Sequence, residues 1–135
     1  MFGLKVYLSV PIILNRNLKY ALFLRKTIED TGNEVVSKWV SEADPGYSMP
    51  PQKVFERDTN GVRESDCLVA DVSVPSHGVG LEIMLAFVNG KKIILLSKKG
   101  AVVSRMVLGI PEAIFVQYSA EDEIRSALKE LLTTM

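Results

Sequence analysis

The spacing of apolar and polar positions changes several times along the chain, and each change marks an expected element. Leu4-Lys5-Val6-Tyr7-Leu8-Ser9-Val10 is a β-branched and aromatic run stopped by Pro11, which predicts a first strand with Tyr7 near its C-terminal end. From Asn17 onward Leu18, Ala21, Leu22, Arg25 and Ile28 recur at helical spacing, with Gly32 as a stop. Glu34 to Val40 alternates and predicts a second strand. Ser41 to Pro51 carries Pro45, Pro50, Pro51 and Gly46, a composition that predicts a long loop and a candidate lid. Gln52 to Arg63 reads as a helix with Val54, Phe55, Asp58 and Val62 on or near one face. A third strand follows at Cys67 to Val72 and a fourth at Lys91 to Ser97. A short helical segment spans Val103 to Leu108 and a fifth strand Ala113 to Tyr118. The acid-rich Ser119 to Glu123 opens a last helix from Ile124 to Leu132.

Strands alternating with helices along one short chain imply right-handed βαβ units and a parallel sheet covered on both faces. The expected fold is α/β: a flavodoxin-like doubly wound sheet of about five parallel strands, in one domain spanning 1–135. Ligands of such sheets lie beyond the carboxyl ends of the strands where the winding reverses. That places Tyr7 to Pro11 and Ser73 to Glu82, which follow the first and third strands, at one crevice.

The stretch Asp66 to Gly90 holds the main chemical signal. Its strand runs into a turn of Pro75, Ser76, His77 and Gly78, and then into a helix expected from Gly80, with Leu81, Met84, Leu85 and Val88 on one side. A Gly-bearing loop that opens a helix aims backbone N–H groups and the positive helix end at one spot, which attracts anions. Glu82 lies beside that spot in an otherwise apolar helix. It is either an ordinary first-turn acid or a catalytic carboxylate next to a phosphate pocket. Asp58 stands similarly between a solvated helix acid and a site residue.

Composition narrows the field. The 135 residues are 47% hydrophobic, enough for one real core, and sixteen basic residues balance sixteen acidic ones, so no global field recruits nucleic acid or an anionic membrane. No apolar run approaches a bilayer span, and the N-terminal stretch lacks the cleavage pattern of a signal peptide. The one cysteine, Cys67, falls within the third strand, where it reads as a small hydrophobe, and a reducing cytoplasm is the expected home. One His and one Cys make a weak metal set, and no metal or organic cofactor is expected. A dinucleotide fingerprint fails at Ile83, the position of its third glycine, and no G-x-x-x-x-G-K-[ST] motif is present. The loop Pro11-Ile12-Ile13-Leu14 does not suit flavin phosphate, and Ser9 and Val10 are not the acids of a phospho-acceptor.

Pro75-Ser76-His77-Gly78-Val79-Gly80-Leu81-Glu82, followed by Ala86 and Gly90-Lys91, resembles the nucleoside 2-deoxyribosyltransferase superfamily, and within it the 2'-deoxynucleoside 5'-phosphate N-hydrolases. The likeness extends to Val6-Tyr7, to Phe55-Glu56-Arg57-Asp58 with Asn60, and to Val103-Ser104-Arg105-Met106 with Gly109, so it covers nearly the whole chain. The resemblance implies that Glu82 is the nucleophile, that Asp58 is the acid assisting the departing base, and that the Tyr7 hydroxyl orients the nucleophile and crowds the sugar's 2' side. It further implies substrate contacts at Ser9, Pro11, Ile12, Ser76, His77, Gly78, Gly80, Ser104 and Met106, with Ser104 reaching in from the second subunit of a homodimer.

The implied reaction cleaves a 2'-deoxynucleoside 5'-monophosphate to free base and deoxyribose 5-phosphate, as retaining glycosidases do through a trapped sugar cation. Base exchange by a deoxyribosyltransferase and a nucleotide-binding module without catalysis are the alternatives. Ser76 and His77 stand where the transferases resembled here place a carboxylate, which favours a phosphorylated substrate. The chain departs from the hydrolase pattern after the first strand. Val10-Pro11-Ile12-Ile13-Leu14-Asn15-Arg16 replaces a Gly-Ser-Ile-Arg-Gly-Gly-like phosphate loop, so Pro11 takes the place of one serine.

Overall fold

The structure, a computed structural model, describes residues 3–135. Five strands, β1 (Lys5–Ser9), β2 (Glu34–Val35), β3 (Cys67–Asp71), β4 (Lys92–Lys98) and β5 (Ile114–Tyr118), form one sheet in the order β2-β1-β3-β4-β5, and every pairing is parallel. This is the expected doubly wound order, with the winding reversing between β1 and β3.

The helices are α1 (Leu18–Asp30), α2 (Pro51–Glu64), α3 (His77–Val88), α4 (Arg105–Leu108) and α5 (Glu121–Thr133). Apolar side chains of the sheet enter two cores. Val6, Leu8, Val69 and Leu96 pack with Leu24 and Ile28 of α1 and with Leu128 of α5. Tyr7, Leu68, Ala70 and Leu95 pack on the opposite face with Val62 of α2 and with Val79 and Ile83 of α3. Alternation along β1 therefore sends Tyr7 to the α2/α3 side, and the same parity sends Ser9 there.

Three expectations need correction. The second strand ends after Val35 instead of reaching Val40. The Ser37 hydroxyl accepts from the Leu8 N–H and donates to the Leu8 carbonyl, both at 2.7 Å, so a side chain occupies the groups that a longer ladder would use. A 3-10 turn at Lys38–Ser41 follows and brings Trp39 edge-on to Tyr7.

The proline-rich stretch expected to be a loop is shorter than read, because Ser41 closes the 3-10 turn and Pro51 is the first residue of α2, where its missing N–H costs nothing.

α3 begins at His77, not Gly80, with Ser76 as its cap, so Glu82 sits in the second turn and not the first. The buried stripe of α3 is Val79, Ile83 and Ala86. Leu81, Met84 and Val88, expected together on one side of the helix, point outward at 68%, 41% and 66% exposure, and only Leu85 of that series is partly packed. An apolar sequence on nearly every side of α3 supplied two competing stripes, and the sheet accepted the one carrying the carboxylate.

Candidate active site

Tyr7 and Ser9 leave β1 on the same face and both donate to one carboxylate. The Tyr7 hydroxyl lies 2.6 Å from Glu82 Oε2, and the Ser9 hydroxyl 2.6 Å from Glu82 Oε1. Such short bonds to an ionised acceptor are strong and fix the side chain's rotation. α3 delivers Glu82 at spacing three from Val79 and beside Ile83, so a charged residue stands within the helix's buried stripe.

Burial in this position pushes the Glu82 carboxyl up to about 7. The hydroxyls of Ser9 and Tyr7 act against that rise, and the charge of nearby Asp58 adds to it. Burial, then the charges of Glu82 and Asp58, raise the Tyr7 phenol far above its ordinary range, so it remains a donor.

Asp58 comes from the middle of α2 and is less than a fifth exposed, with its Oδ1 held 2.9 Å from Arg57 Nε. Arg57 also donates to the Pro45 carbonyl at 2.7 Å and covers the Trp39 ring at 4.3 Å. Trp39 meets Tyr7 edge to face at 6.1 Å. α2 can approach this closely because position 61 is glycine: a Cβ there would stand 2.9 Å from the Tyr7 ring and 3.3 Å from Trp39.

The loop between the 3-10 turn and α2 is well tied. Asp44 accepts from the N–H groups of Gly46 and Tyr47, and Arg16 donates to the carbonyls of Val40, Glu42 and Ala43. The Tyr47 hydroxyl donates to the Ile12 carbonyl, which joins this loop to the one holding Pro11.

The remaining residues singled out from the sequence gather elsewhere. Ser76, His77, Gly80, Ser104 and Met106 line one groove of about 900 Å³ along the outward side of α3, next to the tyrosine and carboxylate cluster by way of α3 itself. Ser76 and Ser104 are both helix caps, accepting from the N–H groups of Val79 and Val107 at 3.4 Å. Gly78 lies in the first turn of α3 outside that groove, and a Cβ there would meet nothing. Cys67 is buried in β3, and burial pushes its thiol up to about 12, so it is an inert packing residue and no partner for His77. Among the described residues no group of three or more His, Cys, Asp or Glu side chains could hold a metal ion.

Sequence reasoning gave no role to Trp39, and quoted Arg57 only as part of the stretch around Asp58. Trp39 is the single tryptophan, in a segment read as strand, and Arg57 is the immediate neighbour of Asp58. The place of Ser9 against Glu82 follows from its parity with Tyr7 once the strand is accepted.

No protein-family model matches the chain. A protein of Thermofilum pendens named as a 2'-deoxynucleoside 5'-phosphate N-hydrolase is 38% identical over 136 residues, covering 96% of this chain and 95% of its own length. A 5-hydroxymethyl-dUMP N-hydrolase of Danio rerio is 32% identical over 117 residues, covering 82% of each. Among solved structures, the Clostridium botulinum CMP N-glycosidase BcmB superposes with a TM-score of 0.76 at 26% identity, over 95% of this chain and 99% of its own. Identity at this level over almost the full length of both chains, together with a parallel sheet in the expected order, places this chain in the 2'-deoxynucleoside 5'-phosphate N-hydrolase family.

Proposed function

We propose that the protein hydrolyses the N-glycosidic bond of 2'-deoxynucleoside 5'-monophosphates, releasing a free base and deoxyribose 5-phosphate, with Glu82 as nucleophile. The observation that carries this reading is a carboxylate held by two hydroxyls and raised to about 7 beside a second carboxylate. A site that only bound an anionic nucleotide would gain nothing from two neighbouring acids, since charge repulsion and desolvation both oppose binding. A glycosidase uses both.

In the ionised form Glu82 attacks C1' as the bond to the base breaks, giving a glycosyl ester, and water then attacks C1' and frees the carboxylate. Asp58 is the acid that assists the departing base while Glu82 attacks as the anion. Tyr7 and Ser9 hold Glu82 in line and stabilise its charge when the ester is cleaved. Tyr7 also crowds the 2' position, which favours deoxyribose. The cap serines Ser76 and Ser104, with the N-terminus of α3, suit the 5'-phosphate. A single, free cysteine that forms no internal disulfide suits a cytoplasmic enzyme.

The test is to incubate the protein with each deoxynucleoside and ribonucleoside monophosphate and follow free base by chromatography. Release from the deoxy forms is expected. Tight binding with no release from any would favour a binding module, and efficient exchange with an added free base, without need of phosphate, would favour a transferase.

The protein is further proposed to act as a homodimer. Leu81, Val88 and Met106, all more than 60% exposed, stand with Met84 and Val102 on one side of the molecule, an apolar surface that twofold pairing would cover. In such a dimer Ser104 of the partner subunit is proposed to contact the same 5'-phosphate as Ser76. Sedimentation of the wild-type protein should give a dimer, and Leu81→Asp should give a monomer of reduced activity. A fully active wild-type monomer would refute the pairing.

Gly61→Ala tests the contact between α2 and Tyr7. Overpacking should cost about 1–3 kcal/mol, offset in part by the roughly 1 kcal/mol helix preference of alanine. Base release should fall more than stability does, because the displaced ring carries the hydroxyl on Glu82. Thermal unfolding and the chromatographic assay read the two effects separately.

A further inference from the structure

We propose that Arg57 is a positioning residue that fixes Asp58 for base departure and makes that hold depend on the 42–50 loop. The inference rests on the reading that Asp58 assists the leaving base.

Arg57 and Asp58 are consecutive on a helix, where side chains diverge by about 100° and do not ordinarily face each other. Yet Nε of Arg57 sits 2.9 Å from Asp58 Oδ1, with the two side chains only 19% and 18% exposed. The guanidinium is held in this back-turned position by three further contacts. Nη2 donates to the Pro45 carbonyl at 2.7 Å, Nη1 reaches Met49 Sδ at 3.4 Å, and the flat face lies 4.3 Å over Trp39. Gly46 brings the loop backbone against the same group, with φ of +131° and a Cβ position 3.1 Å from Nη2, so a side chain there would be strained and crowded.

A planar fork with a stacking face can make all four contacts at once, whereas an ammonium cannot. The ion pair takes Oδ1 and sets the rotation of the carboxylate, which is what delivery of a proton to a particular atom of the base requires. Since two of the anchors, Pro45 and Met49, belong to the loop, a shift of that loop changes the setting of Asp58 through Arg57. The same guanidinium lies over Trp39, whereas Glu82 is held independently by the Tyr7 and Ser9 hydroxyls, so loss of Arg57 bears on Asp58 alone.

The test compares Arg57→Ala and Arg57→Lys on two substrates. One is an ordinary 2'-deoxynucleoside 5'-monophosphate. The other is 7-methyl-2'-deoxyguanosine 5'-monophosphate, whose base already carries a positive charge and departs without being protonated. Loss of proton delivery is expected to lower kcat on the ordinary substrate by about 10–100-fold. On the methylated one the change should stay within about threefold, with KM little altered on either, as expected when only assistance to the base is lost. Lysine should not restore the rate, and millimolar guanidinium ion should restore part of it to the alanine variant. If alanine prevents folding, the lysine variant carries the comparison. Equal losses on both substrates, or full activity in both variants, would overturn the role of Arg57. Absence of base release by the wild-type protein would instead remove the hydrolase reading, and this inference with it.

Discussion

Glu82→Ala is expected to reduce base release by about 10³-fold or more, with the fold intact, because the reaction then has no group to trap the sugar cation. Removal of the carboxylate leaves Tyr7 and Ser9 with hydroxyls that can bond each other or water, so no buried charge is stranded. The expected result is an unchanged circular dichroism spectrum with kcat near background. Near-normal turnover would take the role of nucleophile away from Glu82. Glu82→Gln is the isosteric companion. Its amide can accept from one hydroxyl and donate to the other, so it should be as inactive as alanine while keeping the local geometry.

A second large effect is a pair of opposed pH dependences. Attack requires ionised Glu82, whose carboxyl is raised to about 7, mainly by burial, so the acidic limb of kcat/KM should climb as pH rises through that value. Stability should move the other way. Between its ordinary 4.5 and about 7 the folded protein retains a proton that the unfolded chain has lost, so the Glu82 contribution is complete below 4.5 and disappears as pH rises through about 7. Relative to wild type, Glu82→Gln should therefore gain on the order of 2 kcal/mol at pH 8, allowing for the partial exposure of the side chain, and little or nothing at pH 4.5. Tyr7→Phe and Ser9→Ala each remove a donor to the ionised form and should shift the acidic limb of the rate profile upward. Stability curves from denaturant titration at several pH values, set beside the rate profile, check both signs. A Glu82→Gln protein less stable than wild type at pH 8 would contradict the buried-carboxylate account.

How much of this was legible in the sequence varies with the physics of each element. β1, β3 and β4 are short apolar runs between clear stops, and their order follows from the rules for parallel sheets. The end of β2 was not legible, because the Ser37 hydroxyl, acting at a distance of 29 residues on Leu8, replaces the ladder there. The start of α3 was misread because Gly78 and Gly80 look like turn residues, while the Ser76 cap at their head settles the helix. The stripe of α3 was ambiguous from spacing, since Val79, Glu82, Ile83 and Ala86 form as good a series as Leu81, Met84, Leu85 and Val88. Tyr7 and Glu82 meet as expected from the crevice rule, which depends on topology alone. The network of Arg57, Trp39 and the 42–50 loop was not legible, because it joins three segments by contacts that no local pattern encodes.

The central claim is that Glu82 forms a bond to C1' of a deoxynucleotide, and the stereochemistry of transfer tests it most directly. Turnover of a 2'-deoxynucleoside 5'-monophosphate in water containing methanol, followed by proton NMR, yields a methyl glycoside whose anomeric configuration records the number of displacements at C1'. Two displacements through Glu82 predict the β-glycoside, with the configuration of the substrate retained. The α-glycoside would show a single direct attack by solvent and would contradict the account.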